Sequence, residues 1–195
     1  VTDYGVNTKD GRHIDVLYLL HPKELLINDT SEDGYPVGKK LLELTNEGKV
    51  FLINPPKAIL LQNKALLAAI KYIGKYKDVL PFIADTALDA REFMGQKMVC
   101  KPIFGREGCD VSIIESDGEV SYSYEAEQDL DNHIYQKFIE SKTVTAETDV
   151  GVWSGKYTYS IFVLGGKPSI PFLRFSPYDI CGLESLWVPV IGGLI

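Results

Sequence analysis

Lys101-Pro102-Ile103-Phe104-Gly105-Arg106-Glu107-Gly108 places two cations and two glycines three residues apart between apolar runs. Met98 to Ile103 reads as a strand entering this loop, and Val111-Ser112-Ile113-Ile114 reads as the strand that returns from it. Glycines there let the backbone come close to a ligand and turn N–H groups toward it. Lys101, at a strand end, can reach phosphate oxygens as a point charge, and Arg106 adds a planar donor fork. The order is strand, loop, strand. It is neither GxGxxG nor GxxxxGK, so a helix-bound phosphate loop is not expected. A tight hairpin with a solvated, charged tip has the same composition.

Outward from the loop, the N-terminal part reads as helical and the C-terminal part as strand-rich. His13 to Leu26 is apolar up to the turn marked by Pro22, and Asn28 to Pro36 is a polar loop. Leu41, Leu42 and Leu44 predict a helix over Gly38 to Gly48, with Gly48 as its stop. Val50 to Ile53 predicts a short buried strand ended by Asn54-Pro55-Pro56. Helices are expected over Leu60 to Tyr72 and Ala84 to Met94. Beyond the loop, strands are expected at Val120 to Tyr124, His133 to Ile139, Val150 to Trp153, Tyr157 to Leu164 and Ser169 to Arg174. Gly155-Lys156 and Gly165-Gly166-Lys167 read as hairpin turns between the last three, and Leu186 to Ile191 is a final apolar run. This order predicts an α+β fold with mixed and antiparallel sheets and flanking helices.

Composition narrows the function classes. The 195 residues carry a net charge of −7, from 20 Lys and Arg against 27 Asp and Glu, so a general nucleic-acid surface is not expected. A local cationic cluster can still hold an anion, and a polyamine suits the bulk charge. No run of 18 apolar residues is present, which argues against a membrane-spanning helix. Cys100, Cys109 and Cys181 show no CxxC spacing, which fits a reducing cytoplasm and suggests neither a disulfide framework nor a zinc site. His13, His21 and His133 are far apart, so no metal ligands are assigned.

Three further stretches can carry chemistry. Asn63 can cap a helix and Lys64 can face a phosphate at the positive helix end; a plain cap with a solvated lysine is the alternative. Tyr135-Gln136-Lys137-Phe138 alternates its side chains, so one polar face could read an adenine edge; an ordinary strand has the same pattern. Arg174, followed by Asp179, Glu184 and Ser185 across Pro177 and Gly182, could form a closing loop over a phosphoryl group, or a surface loop. Cys109 beside the glycine loop is a conceivable thiolate, but no histidine lies near it in sequence.

Taken in order, these pieces resemble the glutathionylspermidine synthase family in its ATP-grasp synthetase part. The resemblance runs through Ile14 to Glu24, Asn54-Pro55-Pro56, Gln62-Asn63-Lys64-Ala65-Leu66-Leu67, the Lys101 to Gly108 loop, Ile134-Tyr135-Gln136 and Gly151-Val152-Trp153. His21-Pro22-Lys23-Glu24 stands where the family tends to carry a Tyr-Pro-Trp-Glu-like element. The Lys-Pro-x-x-Gly-Arg-Glu-Gly element is fairly specific, and the ordered set is more so.

The resemblance implies an ATP-grasp fold and an ATP-dependent ligase that joins a carboxylate to an amine through an acyl-phosphate. The family's carboxylate is that of glutathione and its amine that of a polyamine, with Mg²⁺ assisting. By motif, Lys64 and Lys101 would hold ATP phosphates, and Gly105, Arg106, Glu107 and Gly108 would form the loop over them. Tyr135, Gln136, Lys137 and Phe138 would line the adenine pocket, Arg174 would be the mobile-loop catalytic arginine, and Glu184-Ser185-Leu186 the segment after it. Residues 60–140 would form the nucleotide-binding lobe and residues 143–195 a second lobe.

The family's Arg-x-Asp … Glu-x-Asn metal-binding pattern would precede Ile14 to Glu24, and it does not occur here; Asp3 and Asp15 have the wrong neighbours. The expectation is therefore an incomplete, C-terminal portion of the synthetase, with the metal ligands upstream and little activity by itself. A non-catalytic nucleotide-binding or interaction module on the same fold is the alternative, and a plain partner-binding domain is a third.

Overall fold

A computed structural model of the chain describes residues 1–124, 132–149, 151–188 and 190. It divides into two units, Val1–Leu66 and Leu67–Ile195.

In the first unit, strand β1 (Val16–Tyr18) is followed by a one-turn helix α1 (Lys23–Leu26), helix α2 (Val37–Asn46), strand β2 (Phe51–Ile53) and a short helix α3 (Ile59–Gln62). β1 and β2 pair in parallel, with Leu17 opposite Leu52. Leu41 and Leu44 lie on one stripe of α2 and are buried with Val6, Leu26, Val50 and Leu52. Each leucine taken out of water there contributes about 1.5–3 kcal/mol. The helix predicted over Gly38 to Gly48 is present and ends as its glycine indicates. Gly48 has φ +73°, its N–H reaches the Thr45 carbonyl, and the Lys49 N–H reaches the Leu44 carbonyl. Gly38 is required for a different reason. A Cβ there would stand 1.5 Å from the Leu26 carbonyl oxygen, so α2 crosses α1 with no room for a side chain.

Helix α4 (Ala65–Ile70) spans the boundary between the units. The single helix expected from Leu60 to Tyr72 is therefore two short ones. Asn63 breaks it: its backbone is extended, at φ −74° and ψ 113°, and its Oδ1 accepts the Ala65 N–H at 2.8 Å. The residue that caps α4 is the one that cannot continue α3.

Among the described residues the second unit contains two larger sheets. The first is built from β3 (Thr86–Ala87), β4 (Met98–Pro102), β5 (Val111–Ile114), β6 (Val120–Tyr124) and β7 (His133–Lys137), antiparallel in the order β3-β7-β4-β5-β6. The helix expected over Ala84 to Met94 is not formed. Thr86 and Ala87 pair instead with Gln136 and Tyr135, giving the edge of β7 its hydrogen-bond partners, and only Ala90–Phe93 makes a 3-10 turn. Asp89 starts that turn by accepting the Arg91 N–H at 2.9 Å.

The second sheet holds β8 (Val144–Thr148) and β9 (Gly151–Ser160), then β12 (Phe172–Ser176) and β13 (Leu186–Val188), in the order β13-β12-β9-β8. A small hairpin of β10 (Val163–Leu164) and β11 (Lys167–Pro168) lies between β9 and β12, turning at Gly165-Gly166 as expected. No turn occurs at Gly155-Lys156, which is the middle of β9. A Cβ on Gly155 would meet the Ser176 carbonyl oxygen at 2.3 Å and the Phe175 ring at 2.9 Å, so this glycine admits a neighbouring strand rather than a bend. Phe175 is buried there, 5.0 Å from the Tyr157 ring centroid and 6.3 Å from Trp153. The expected strand Val150 to Trp153 and the run Leu186 to Ile191 reach beyond the described residues at Val150, Pro189 and Ile191.

The architecture is α+β with mostly antiparallel sheets, as the order of elements predicts, and it is consistent with part of an ATP-grasp-like fold. Among the described residues no helix is long and apolar enough to cross a membrane.

Candidate functional site

Strand alternation divides the first sheet into two faces. Met98, Ala87 and Phe93 form a buried cluster on one of them, with Tyr135 packed against it. Burial pushes the Cys100 thiol up, and Tyr135 hydrogen-bonds to it. Val99, Ile113, Val111 and Tyr122 belong to the other face, where Ile180 and Phe138 pack.

Lys101 and Gln136 also lie on that second face, as diagonal neighbours on the adjacent strands β4 and β7, where Gln136 is opposite Val99 and Lys101 opposite Ile134. The Lys101 Nζ donates to Gln136 Oε1 at 2.6 Å. Gln136 Nε2 donates to Thr86 Oγ1 at 2.9 Å, and Thr86 Oγ1 donates to the Ala84 carbonyl at 2.7 Å. Gln136 is 8% exposed and Thr86 1%. Burial lowers the Lys101 pKa below that of an ordinary lysine. Its acceptor is a neutral amide rather than a carboxylate, so its positive charge is not neutralised by that partner.

Beyond Lys101 the loop turns sharply. Glu107 and Asp110 have φ 53° and Gly108 has φ +79°, so three of four successive residues are left-handed, two of them without the freedom of glycine. The turn is closed by hydrogen bonds from the Cys109 N–H to the Arg106 carbonyl and from the Val111 N–H to the Gly108 carbonyl. Arg106 and Glu107 are exposed at its tip.

The structure brings this loop to the segment that follows β12. A Cβ on Gly108 would meet Ile180 Cγ2 at 2.8 Å, the Cys181 carbonyl oxygen at 3.4 Å and the Gly182 Cα at 3.5 Å. The segment is itself well tied. Glu184 Oε1 accepts the Gly182 N–H at 3.2 Å and the Ser176 hydroxyl at 3.4 Å, Ser185 pairs with Cys181 at 3.0 Å, and Lys156 pairs with Asp179. Arg174 is half-buried on β12 between Thr158 and Trp187, and Leu186 is opposite Phe175. Among the described residues Arg174 makes no hydrogen bond or ion pair with a side chain.

The remaining candidates are placed as follows. Lys64 stands in the turn that opens α4, in the first unit. Tyr135 points to the face opposite Gln136, and Lys137 is exposed. Phe138 packs near Val111 and carries Lys97 over its ring at 4.6 Å. Sequence reasoning missed Thr86, because a strand of two residues is too short to show a period. It also missed Ser176, which ties the segment just after it, and Ile180, which packs against Val111 and Ile113 far earlier in the chain.

Residues 2–165 match the family model described as glutathionylspermidine synthase preATP-grasp. The chain belongs to the glutathionylspermidine synthase family. No curated protein matches it. The matched residues include Lys64, the Lys101 to Gly108 loop and Gln136, whereas Arg174 and Glu184 to Leu186 lie beyond them. Glutathionylspermidine synthases are ligases that depend on ATP. The donors here have the chemistry that phosphate oxygens require: Lys101 at a strand end and Arg106 exposed at the tip of the turn. Magnesium does not find a ready site among the described residues. Among the described residues no group of three or more His, Cys, Asp or Glu is placed to hold a metal ion.

Proposed function

We propose that this chain carries the nucleotide-phosphate part of an ATP-dependent carboxylate–amine ligase, which forms an amide through an acyl-phosphate. The observation that carries this reading is Lys101, held by Gln136 at the mouth of a left-handed loop inside the family-matched residues. Bound ATP would supply the phosphoryl group that activates the carboxylate. Lys101 would bind phosphate oxygens, and Gly105 to Gly108 would cover them with backbone N–H groups. Gln136 and Phe138, which share one face, would border the base, whereas Tyr135 and Lys137 face the other way. Arg174, in a paired strand rather than a mobile loop, would stabilise charge on the transferring group, with Glu184, Ser185 and Leu186 holding the segment that follows β12. No step is assigned to a metal ion held by these residues. A glutathione-like carboxylate and a polyamine-like amine are the substrate classes, in a cytoplasmic setting. Residues 60–140 would act as the nucleotide lobe and residues 143–195 as the second lobe.

Calorimetric titration of ATP onto the full chain and onto Lys101→Ala tests the binding half. A charge-assisted contact contributes about 1.5–3 kcal/mol, so Lys101→Ala is expected to weaken ATP roughly 10- to 150-fold. Equal heats for the two proteins would remove Lys101 from the site. ADP release with Mg²⁺, glutathione and spermidine tests turnover. Binding without ADP release from any carboxylate and amine pair would favour a non-catalytic nucleotide-binding module.

A further inference from the structure

Thr86 is buried at the end of a hydrogen-bonded series that begins at Lys101. The series has a direction. A backbone carbonyl can only accept, so the Thr86 hydroxyl, whose proton is committed to Ala84, can only accept from Gln136. That requires the Gln136 N–H₂ to face Thr86 and leaves its Oε1 for Lys101. The opposite orientation would set two N–H donors against the Lys101 ammonium and leave a buried carbonyl oxygen against the Thr86 hydroxyl.

We propose that Thr86 is a positioning residue, which fixes the amide orientation of Gln136 and through it the place of the Lys101 ammonium. Strand β3 is two residues long and pairs with the edge of β7, and it carries the hydroxyl that the series needs. Its Thr86 side chain is 1% exposed and is linked to Lys101 through Gln136. The consequence for nucleotide affinity rests on the function proposed above. The orientation of Gln136 and the restraint of Lys101 do not.

The test compares the full chain with Thr86→Val, which keeps the shape and removes the hydroxyl, and Thr86→Ser, which keeps the hydroxyl. Thr86→Ala serves if the valine variant does not unfold cooperatively. The first readout is the rate at which Lys101 is acetylated by acetic anhydride, followed by peptide mass spectrometry with no nucleotide present. Thr86→Val is expected to raise that rate about tenfold, the cost of one buried hydrogen bond, while Thr86→Ser stays within about threefold of wild type. The second readout is ATP affinity by calorimetry, expected to fall about tenfold in Thr86→Val and to be restored in Thr86→Ser. Unchanged acetylation of Lys101 in a folded Thr86→Val protein would overturn the proposal. Faster acetylation in a protein whose wild type binds no ATP would uphold the positioning role and reject the nucleotide reading. Faster acetylation with unaltered ATP affinity would confine the role to Lys101 and remove it from the binding site.

Discussion

Lys101 carries a charge on a surface that partly excludes water, beside a neutral acceptor. Burial lowers its pKa, so the folded state binds that proton less tightly than the unfolded chain does. The cost of the buried charge is therefore present below the folded-state value, and it is relieved as pH rises through it. Phosphate binding needs the charged form. ATP affinity is thus expected to decline at a lower pH than it would with an exposed lysine, and Lys101→Arg should carry binding further into the alkaline range. Calorimetry of both proteins across that range checks this; parallel profiles would speak against Lys101 as the phosphate cation. Asp89 shows the opposite sign away from the site. The Arg91 side chain holds its carboxyl down to about 2. Its contribution is complete above the unfolded value near 3.9 and is lost as pH falls through about 2.

At the scale of elements, short polar side chains decide where helices stop. Asn63 separates α3 from α4 by accepting the Ala65 N–H. Replacing it by alanine removes that cap and restores a good helix former at the break. The lost cap is expected to dominate, at about 1 kcal/mol, because the backbone of Asn63 is extended. A lower midpoint in urea with an unchanged slope would register this, whereas a gain in helical circular dichroism would mean that α3 and α4 fuse. The strands were more legible than the helices. Met98 to Ile103, Val111 to Ile114 and Val120 to Tyr124 are strands within a residue of expectation, because alternating β-branched and aromatic residues bounded by turns leave few alternatives. Ala84 to Met94 misled because alanine and leucine favour a helix locally, whereas the unpaired edge of β7 draws Thr86 and Ala87 into the sheet. Gly155 misled because a glycine looks the same in sequence whether it serves a turn or admits a neighbour.

At the scale of the molecule, the two units have separate cores. Leu44 is fully buried among Val6, Leu26, Leu41, Val50 and Leu52 in the first, and truncating it to alanine should cost about 2–5 kcal/mol there. Hydrogen exchange is expected to quicken across α2 and β2 while the amides of β4 and β7 keep their protection. Equal loss in both would mean that the chain unfolds as one cooperative body. In the second unit, Ser176 and Glu184 tie the segment after β12 to the second sheet, and Ile180 buries itself with Val111 and Ile113 of the first.

The order of residues by itself determined the loop at Lys101 to Gly108, the strands beside it, the α2 helix and its stop, and an α+β class. All of these rest on interactions within a few residues, or on side-chain alternation, both of which are written locally. The ordered motifs also pointed to the family that residues 2–165 match. Only the tertiary structure decided what faces the loop. It joined Lys101 to Gln136 across 35 residues and Gln136 to Thr86 across 50, and it set Ile180 against Gly108. Such pairings depend on which strands become neighbours and on how closely two backbones can approach. Those are properties of the packed chain, and no local pattern of residues specifies them.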